Sequence, residues 1–469
     1  MPLCVDLDDT LVRTDTLVEG LLALAGGLRF AALVGAFAGG RAGLKARVAA
    51  LAPLDPSVLP YNETLLAYLR EQRAAGRRIV LATAANAVVA AGVAAHLGLF
   101  DEVIASSATR NLKGEAKAAA LVERFGRGGF AYAGDARADL AVWAEAGAAV
   151  LVDVADSVAA RVSVPVERRF AVRPALLPTL LRAMRPHQWV KNLLVFVPIF
   201  TSHALTDGPS WIGGLLAFAA FCAAASGIYL INDLFDLAAD RAHPNKRHRP
   251  FAAGDAPALA GVVAGAVLVL IAAALAAIAG ITIVVAVYAA TSLAYSLRLK
   301  RQPLVDVFAL AGLFTVRLFG GGEASGHALS LWLLAFASFL FLSLALVKRV
   351  TEVMESSRRS AAAIAGRGYG PDDLAILQLF GVCASFAASL VLALYVQSEA
   401  SSGRFAAAGL LWGIVPLVLL WNCRMWLATA RGYMHHDPIL YAARDRVSWA
   451  IGAAVLAVML VARTGVGQG

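Results

Sequence analysis

Two stretches of this chain set carboxylates where they can act together. In Asp6-Leu7-Asp8-Asp9-Thr10, Asp6 and Asp8 are two residues apart at the end of a short apolar run, so the turn that follows can bring both toward one pocket. One carboxylate of such a pair can attack phosphorus while the other protonates the leaving oxygen and later activates water. Three further pieces would complete a phosphotransfer site. Thr83 ends the run RRIVLAT, where a hydroxyl can hold a phosphate oxygen, and Lys117 supplies a cation near a helix start, with Lys113 as its rival. Asp135 and Asp139, in GDARAD, offer two carboxylates four residues apart, suited to Mg²⁺.

The second stretch lies at the end of a long apolar segment, in NDLFDLAAD. Asn232, Asp236 and Asp240 fall on one helix face with Asp233 beside them. Carboxylates at the end of a spanning helix are costly unless cations neutralise them, and Mg²⁺ bridging a diphosphate would do so. Lys246 and Arg249 follow within RAHPNKRHRP and can hold phosphate oxygens, whereas Arg247 and His248 read as loop charges. Arg317, inside an apolar helix, is expected to face a cavity. Lys191 and Lys348 lie near helix ends, where a ligand-binding role competes with snorkelling, and Tyr295 is either a ligand contact or an interfacial aromatic. His187 and Trp189 read as interface anchors.

The elements that must position these groups differ between the two parts of the chain. Of 469 residues, 59% are hydrophobic and 16% charged, with mean hydropathy +0.70, which excludes a wholly soluble or disordered protein. Residues 1–165 read as an α/β domain with a parallel sheet and its site at the strand C-termini. Segment 20–40 reads as part of a small helical cap over about 16–60 rather than a crossing, because Arg29 sits at its middle. Residues 166–180 read as a linker, and 181–469 as an all-α membrane bundle. Spans are expected near 190–207, 211–234, 257–278, 281–298, 304–321, 330–348, 374–397, 405–427 and 447–464. With the head in the cytosol, the return loops then hold nearly all loop Lys and Arg, and the opposite loops only Arg404. The net charge of +9 is therefore assigned to cytoplasmic loops and not to nucleic-acid binding. Asp6, Asp8 and Asp9 break any signal-peptide core, so the head and both sites are expected on the cytoplasmic face of the membrane.

In their order, DxDxT, Thr83, Lys117 and GDxxxD resemble the haloacid dehalogenase-like phosphohydrolases. That resemblance implies an aspartyl-phosphate at Asp6, Asp8 as acid/base, Thr83 and Lys117 on the phosphoryl group, and Mg²⁺ at Asp135 with support from Asp139 and with Asp6 and Asp8 in the same metal site. The NDxxDxxxD pattern resembles the UbiA superfamily of membrane prenyltransferases, which implies nine helices around a lipid-open cavity and acidic motifs that bind Mg²⁺-diphosphate. The longer string NDLFDLAADRAHPNKRHRPFAAG, with RPHQWVKN (ending in Lys191 and Asn192), YSLRLKRQPLVDVFALAGLFTVRLFGG (including Tyr295, Lys300, Asp306 and Arg317) and LALVKR, looks like the polyprenyl-phosphate phosphoribosyltransferase subgroup. The second paired-acid motif common in aromatic prenyltransferases is incomplete, because Asp306 is present but position 310 is Leu.

The implied function is transfer of 5-phosphoribosyl from phosphoribosyl pyrophosphate (PRPP) to a polyprenyl phosphate, with the head removing the 5′-phosphate and Mg²⁺ serving both domains. Asp233, Asp236 and Asp240 would carry the metal and stabilise the departing pyrophosphate; Lys246, Arg249, Lys300 and Arg317 would neutralise phosphates, and Lys191, Asn192, Asn232, Tyr295, Asp306 and Lys348 are the further expected substrate contacts. The competing readings are prenyl transfer to an aromatic or other acceptor beside an unrelated phosphatase, and a transporter or scaffold whose acidic stripe only binds ions. A homo-oligomer is compatible with the sequence.

Overall fold

The computed structural model describes residues 1–27, 40–171, 173–202, 204–358, 368–398, 405–434 and 437–464. The chain divides into two compact units, Met1–Met184 with Tyr229–Val267, and Arg185–Ile228 with Leu268–Gly469.

The first unit is built on six parallel strands, β1 (Leu3–Val5), β2 (Ile79–Asn86), β3 (Glu102–Ser106), β4 (Ala131–Gly134), β5 (Ala148–Val152) and β6 (Val166–Phe170), in the order β3-β2-β1-β4-β5-β6. Period-two alternation sorts their side chains into two buried layers. Leu3, Val5, Ile79, Leu81, Ala131, Ala133 and Val150 pack on one face. Cys4, Val80, Ala82, Tyr132, Ala149 and Leu151 pack on the other, against Trp143 and Leu121. All strands run the same way, but the order in which they are added reverses between β1 and β4, whose parallel register pairs Val5 with Ala133. Asp6 and Asp135 therefore leave adjacent strand ends at a topological switch point, where ligands of open α/β sheets bind.

Val166–Phe170, read from sequence as the start of the linker, instead form the edge strand, with β5–β6 pairing through Val152 and Phe170. The run VERRF is charged and mostly exposed, a composition that suits an edge. Of the expected cap, Thr16–Gly26 and Gly40–Leu51 are helices. The Asp15 carboxylate caps the first of these through Leu17 and Val18 N–H, and Arg29, the residue used to reject a crossing, lies outside the described residues.

Among the described residues seven helices are long and apolar enough to cross a membrane: Gly208–Phe235, Ala258–Ile278, Val305–Ser325, Leu331–Arg358, Pro371–Gln397, Ala408–Ala430 and Arg446–Arg463. The expectation of nine differs at two places. The first expected span breaks into tight turns over Pro186–Phe196 and a short helix, Val197–Thr201, with prolines at the start of each. The fourth is the helix Thr282–Leu297, whose 16 residues reach about 24 Å, short of a hydrocarbon core of about 30 Å. In the second unit the buried core includes Val307, Phe341, Leu346, Val350 and Trp426.

Candidate active sites

The head site begins with a strained turn. In the turn after β1, Asp9 adopts φ +56°, and Asp6 and Asp8 both line the cavity. Asp6 Oδ1 accepts from Leu7 N–H at 2.8 Å, and Asp8 Oδ1 accepts from Thr16 N–H, also at 2.8 Å. Lys117, on the Glu115–Phe125 helix, is buried and donates from Nζ to Asp6 Oδ2 at 2.5 Å and to Tyr132 Oη at 2.6 Å. The Tyr132 hydroxyl in turn lies 3.0 Å from Asp139 Oδ1, and Lys117 Nζ 3.5 Å from the same oxygen. Asp139 Oδ2 accepts from the backbone N–H of Asp135 and Ala136, while Thr10 Oγ1 donates to Asp135 Oδ1 at 3.1 Å. A cavity of about 390 Å³ opens on this cluster.

Burial and mutual repulsion set the protonation of these groups. Burial, then Asp139 and Asp6, push Asp135 up to about 8, and Asp139 is raised by burial and Asp6. Burial, with Asp15 adding repulsion, pushes Asp8 up to about 7, a value suited to a group that must donate and then accept a proton near neutrality. Burial lowers Lys117, but Asp6 and Asp139 outweigh it and hold the ammonium above its ordinary value. One carboxylate oxygen from each of Asp6, Asp135 and Asp139 lies within 4.8 Å of the other two. Three hard-oxygen donors, two buried and Asp135 half-buried, fit a divalent cation such as Mg²⁺.

The structure thus brings together Asp6, Asp8, Lys117, Asp135 and Asp139. Lys113 lines the cavity as well, but it is exposed. Thr83 departs from the sequence expectation. It is fully buried, its Oγ1 accepts from Ala85 N–H at 3.0 Å, and the cavity wall at this strand end is made by Ala84, Ala85 and Asn86. β2 runs three residues beyond Thr83, so the hydroxyl is spent on shaping the tip. Sequence reasoning missed Tyr132, whose only signal is an aromatic within the small-residue strand AYAG. It also missed Lys45, which reaches in from the cap with nothing nearby to mark it.

The second acidic constellation belongs to the same compact unit. The Gly208–Phe235 helix stops at Asp236, which serves as the N-cap of Leu237–Ala242. The expected continuous face of Asn232, Asp236 and Asp240 is thereby broken at its middle. Asp233 and Asp240 are the buried members, and Arg249 Nη1 joins them, at 3.1 Å from Asp233 Oδ1 and 2.6 Å from Asp240 Oδ2. Burial raises Asp240, and Arg249 opposes that shift. Asn232 and Asp236 are half-buried, and Lys246 is exposed.

In the second unit Arg317 is buried. Its Nε donates to Asn192 Oδ1 at 2.7 Å and its Nη2 to Tyr288 Oη at 3.0 Å, and its guanidinium lies 4.7 Å from the centre of the Tyr288 ring. Lys191 pairs with Asp437, and the Lys348 charge also acts on that carboxylate. Asp306 is fully buried, 2.5 Å from Arg349 Nη2 and accepting from Tyr369 Oη at 2.6 Å. Tyr295 and Lys300 are half-buried at the end of the Thr282–Leu297 helix and in the turn after it.

With this geometry in place, the model of the UbiA prenyltransferase family matches residues 194–435, more than half of the chain. The chain belongs to the UbiA prenyltransferase family. Residues 3–143 match the haloacid dehalogenase-like hydrolase model, so the chain is an integral membrane enzyme of the UbiA family that carries a hydrolase head. An uncharacterized protein of Sinorhizobium fredii, y4nM, is 36% identical over 98% of this chain and 91% of its own. The decaprenyl-phosphate phosphoribosyltransferase of Mycolicibacterium smegmatis is 40% identical over 40% of this chain and 60% of its own. A solved UbiA homolog from Archaeoglobus fulgidus bound to GPP and Mg²⁺ has 18% identity and TM-score 0.48, covering 61% of this chain and 99% of that one.

Proposed function

We propose that this UbiA-family member is bifunctional: its membrane part transfers 5-phosphoribosyl from PRPP to a polyprenyl phosphate, and its head removes the 5′-phosphate from the product. The observation that carries this reading is that both acidic constellations share one compact unit. Within it Arg241, next in sequence to Asp240, forms a two-point ion pair with Glu19 of the Thr16–Gly26 cap helix. A transferase product that still bears a phosphomonoester is then made beside a phosphatase. The relative named decaprenyl-phosphate phosphoribosyltransferase and the leucine at position 310 favour this over prenyl transfer.

In the head, the Asp6 carboxylate attacks phosphorus while the leaving alkoxide takes its proton from Asp8. Water then gives a proton to Asp8 and attacks phosphorus, breaking its bond to Asp6 and releasing inorganic phosphate. Lys117 neutralises charge on the phosphoryl oxygens, and Tyr132 holds Lys117 between Asp6 and Asp139. Asp6, Asp135 and Asp139 would hold Mg²⁺, which supplies charge neutralisation at the phosphoryl group. In the transferase, departure of pyrophosphate is the demanding event, because the acceptor phosphate is already anionic. Asp233, Asp236 and Asp240 would hold Mg²⁺-diphosphate, with Lys246 and Arg249 on the donor phosphates. Arg317, oriented by Asn192 and Tyr288, would meet the lipid phosphate together with Lys191 and Lys348. The nine crossings and a cytoplasmic head belong to the same proposal, with the head running through its edge strand to Phe170.

Mass spectrometry of the lipid fraction, after purified protein is mixed with PRPP, Mg²⁺ and a polyprenyl phosphate, tests it. Lipid carrying ribose with one phosphate fewer than the transfer product supports both halves, and lipid carrying intact phosphoribose supports the transferase alone. Unchanged lipid in folded protein refutes the transferase reading, and pyrophosphate released from a prenyl diphosphate without PRPP replaces it with prenyl transfer.

A further inference from the structure

The head cavity carries more cationic side chains than its phosphoryl chemistry uses. Lys117 is committed to Asp6, Asp139 and Tyr132, yet Arg41, Lys45 and Lys113 also line the cavity. Lys45 stands out because it is held in place. It projects from the cap helix Gly40–Leu51, and its Nζ donates to Ala84 O at 2.5 Å and to Asn111 Oδ1 at 3.0 Å. An ammonium has three donors, so among the described residues one N–H is left for a group within the cavity. Two neutral carbonyl acceptors fix the head without neutralising its charge.

Its surroundings say which end of a substrate it meets. Lys117 is the cation bonded to Asp6, whereas Lys45 is held from the cap helix at the β2 tip and at Asn111, with the Asp8 and Asp15 carboxylates acting on its charge. Asp8 is the group that protonates the leaving oxygen, and Lys117 already occupies the Asp6 side. Lys45 therefore serves the leaving group and not the transferred phosphoryl. A preorganised ammonium in a partly dehydrated cavity favours an anion there over a neutral chain.

We propose that Lys45 is a specificity-determining residue, and that the head selects phosphomonoesters whose alcohol part carries a second anionic group, such as a sugar phosphate bearing a further phosphate ester. The proposal rests on the phosphatase reading of the head. Under it, the phosphoribosyl lipid meets the requirement, because its phosphodiester supplies the second anion.

The test uses the full-length protein in detergent with Mg²⁺ and three probes: ribose 1,5-bisphosphate, ribose 5-phosphate and p-nitrophenyl phosphate. Wild type is expected to show a KM at least tenfold lower for release of the 5-phosphate from the bisphosphate than from ribose 5-phosphate. Lys45→Met should remove that difference by raising the bisphosphate KM about tenfold, leaving kcat and p-nitrophenyl phosphate hydrolysis within about twofold. Lys45→Arg should restore most of the preference. Equal kinetics of wild type on the two sugar phosphates, or equal losses in Lys45→Met on all three probes, overturn the proposal. If Lys45→Met is unfolded by its melting curve, Lys45→Gln decides by the same criteria. Hydrolysis of none of the probes by wild type overturns the phosphatase reading instead.

Discussion

Glu19 and Arg241 are separated by more than two hundred residues in sequence, yet they face each other in a buried two-point ion pair, Oε2 2.9 Å from Nη1 and Oε1 2.5 Å from Nη2. Arg241 Nε also donates to Ala252 O at 3.0 Å. The cap helix of the hydrolase head is thus fastened to the residue that follows Asp240 of the acidic motif. Nearby, Asp255 accepts from both Arg13 and Arg182, at 3.0 and 2.9 Å, so the attachment does not depend on one pair.

Removing one partner of a buried pair leaves an uncompensated charge, at a cost of about 3–5 kcal/mol. Glu19→Ala and Arg241→Ala should each lower the melting temperature of the solubilised protein clearly. The double variant should lose much less than the sum of the two. Additive losses would mean that the pair is not coupled.

Arg249 leads to a different expectation. Its guanidinium is the cation seen between the buried carboxylates of Asp233 and Asp240, so Arg249→Ala should lower lipid phosphoribosylation by about 10²-fold. Phosphate release from p-nitrophenyl phosphate, which reports on the head, should stay within about twofold. The reverse is expected for Asp6→Asn: phosphate release is lost and intact phosphoribosyl lipid accumulates. Loss of both activities in either variant would count against separable sites.

The sheet edge supplies a pH dependence. Arg77 donates to both oxygens of Glu167, at 2.8 and 3.0 Å, and these bonds hold the Glu167 carboxyl below its ordinary value. A group depressed in the folded state contributes stability above its unfolded pKa, about 4.3, and loses it as pH falls through the folded value. Glu167→Gln should therefore melt earlier than wild type at pH 7, by an amount corresponding to about 0.5–1 kcal/mol. The two melting curves should converge as pH drops below about 4. A gap that persists in acid would assign the effect to packing.

How much of this was legible in sequence follows from the range of each interaction. Asp6, Asp8, Lys117, Asp135 and Asp139 could be read because strand ends fix their direction, and adjacent parallel strands must bring those ends together. Thr83 fits the same pattern but turns into the strand tip, since β2 extends to Asn86 and no composition signal marks where a buried strand ends. Lys45 and Tyr132 act through contacts spanning many residues, Lys45 Nζ to Asn111 and Tyr132 Oη to Asp6, which local spacing does not encode. The acidic stripe was legible as a cluster and misread as one continuous face, because the break at Asp236 depends on a backbone turn and not on a proline or glycine. Hydropathy located the long spans but could not separate a full crossing from the short Thr282–Leu297 helix.

Asp306 gives the sharpest remaining contrast between ligand binding and support. Sequence reading placed it at the substrate, whereas the structure buries it completely against Arg349 and Tyr369, and Arg349 pairs with Glu352 as well. Tyr369 Oη also accepts from Leu304 N–H at 2.6 Å, so the network fastens the start of the Val305–Ser325 helix, which carries Arg317. If the carboxylate acts as support, Arg349→Met alone should destabilise strongly by stranding Asp306. Asp306→Asn with Arg349→Met should recover most of the melting temperature, since a buried pair can be replaced by neutral groups at little cost. That double variant should retain phosphoribosyl transfer within about tenfold, with the PRPP KM changed by less than about threefold. A stably folded double variant whose transfer falls by more than 10³-fold would instead place Asp306 on the substrate.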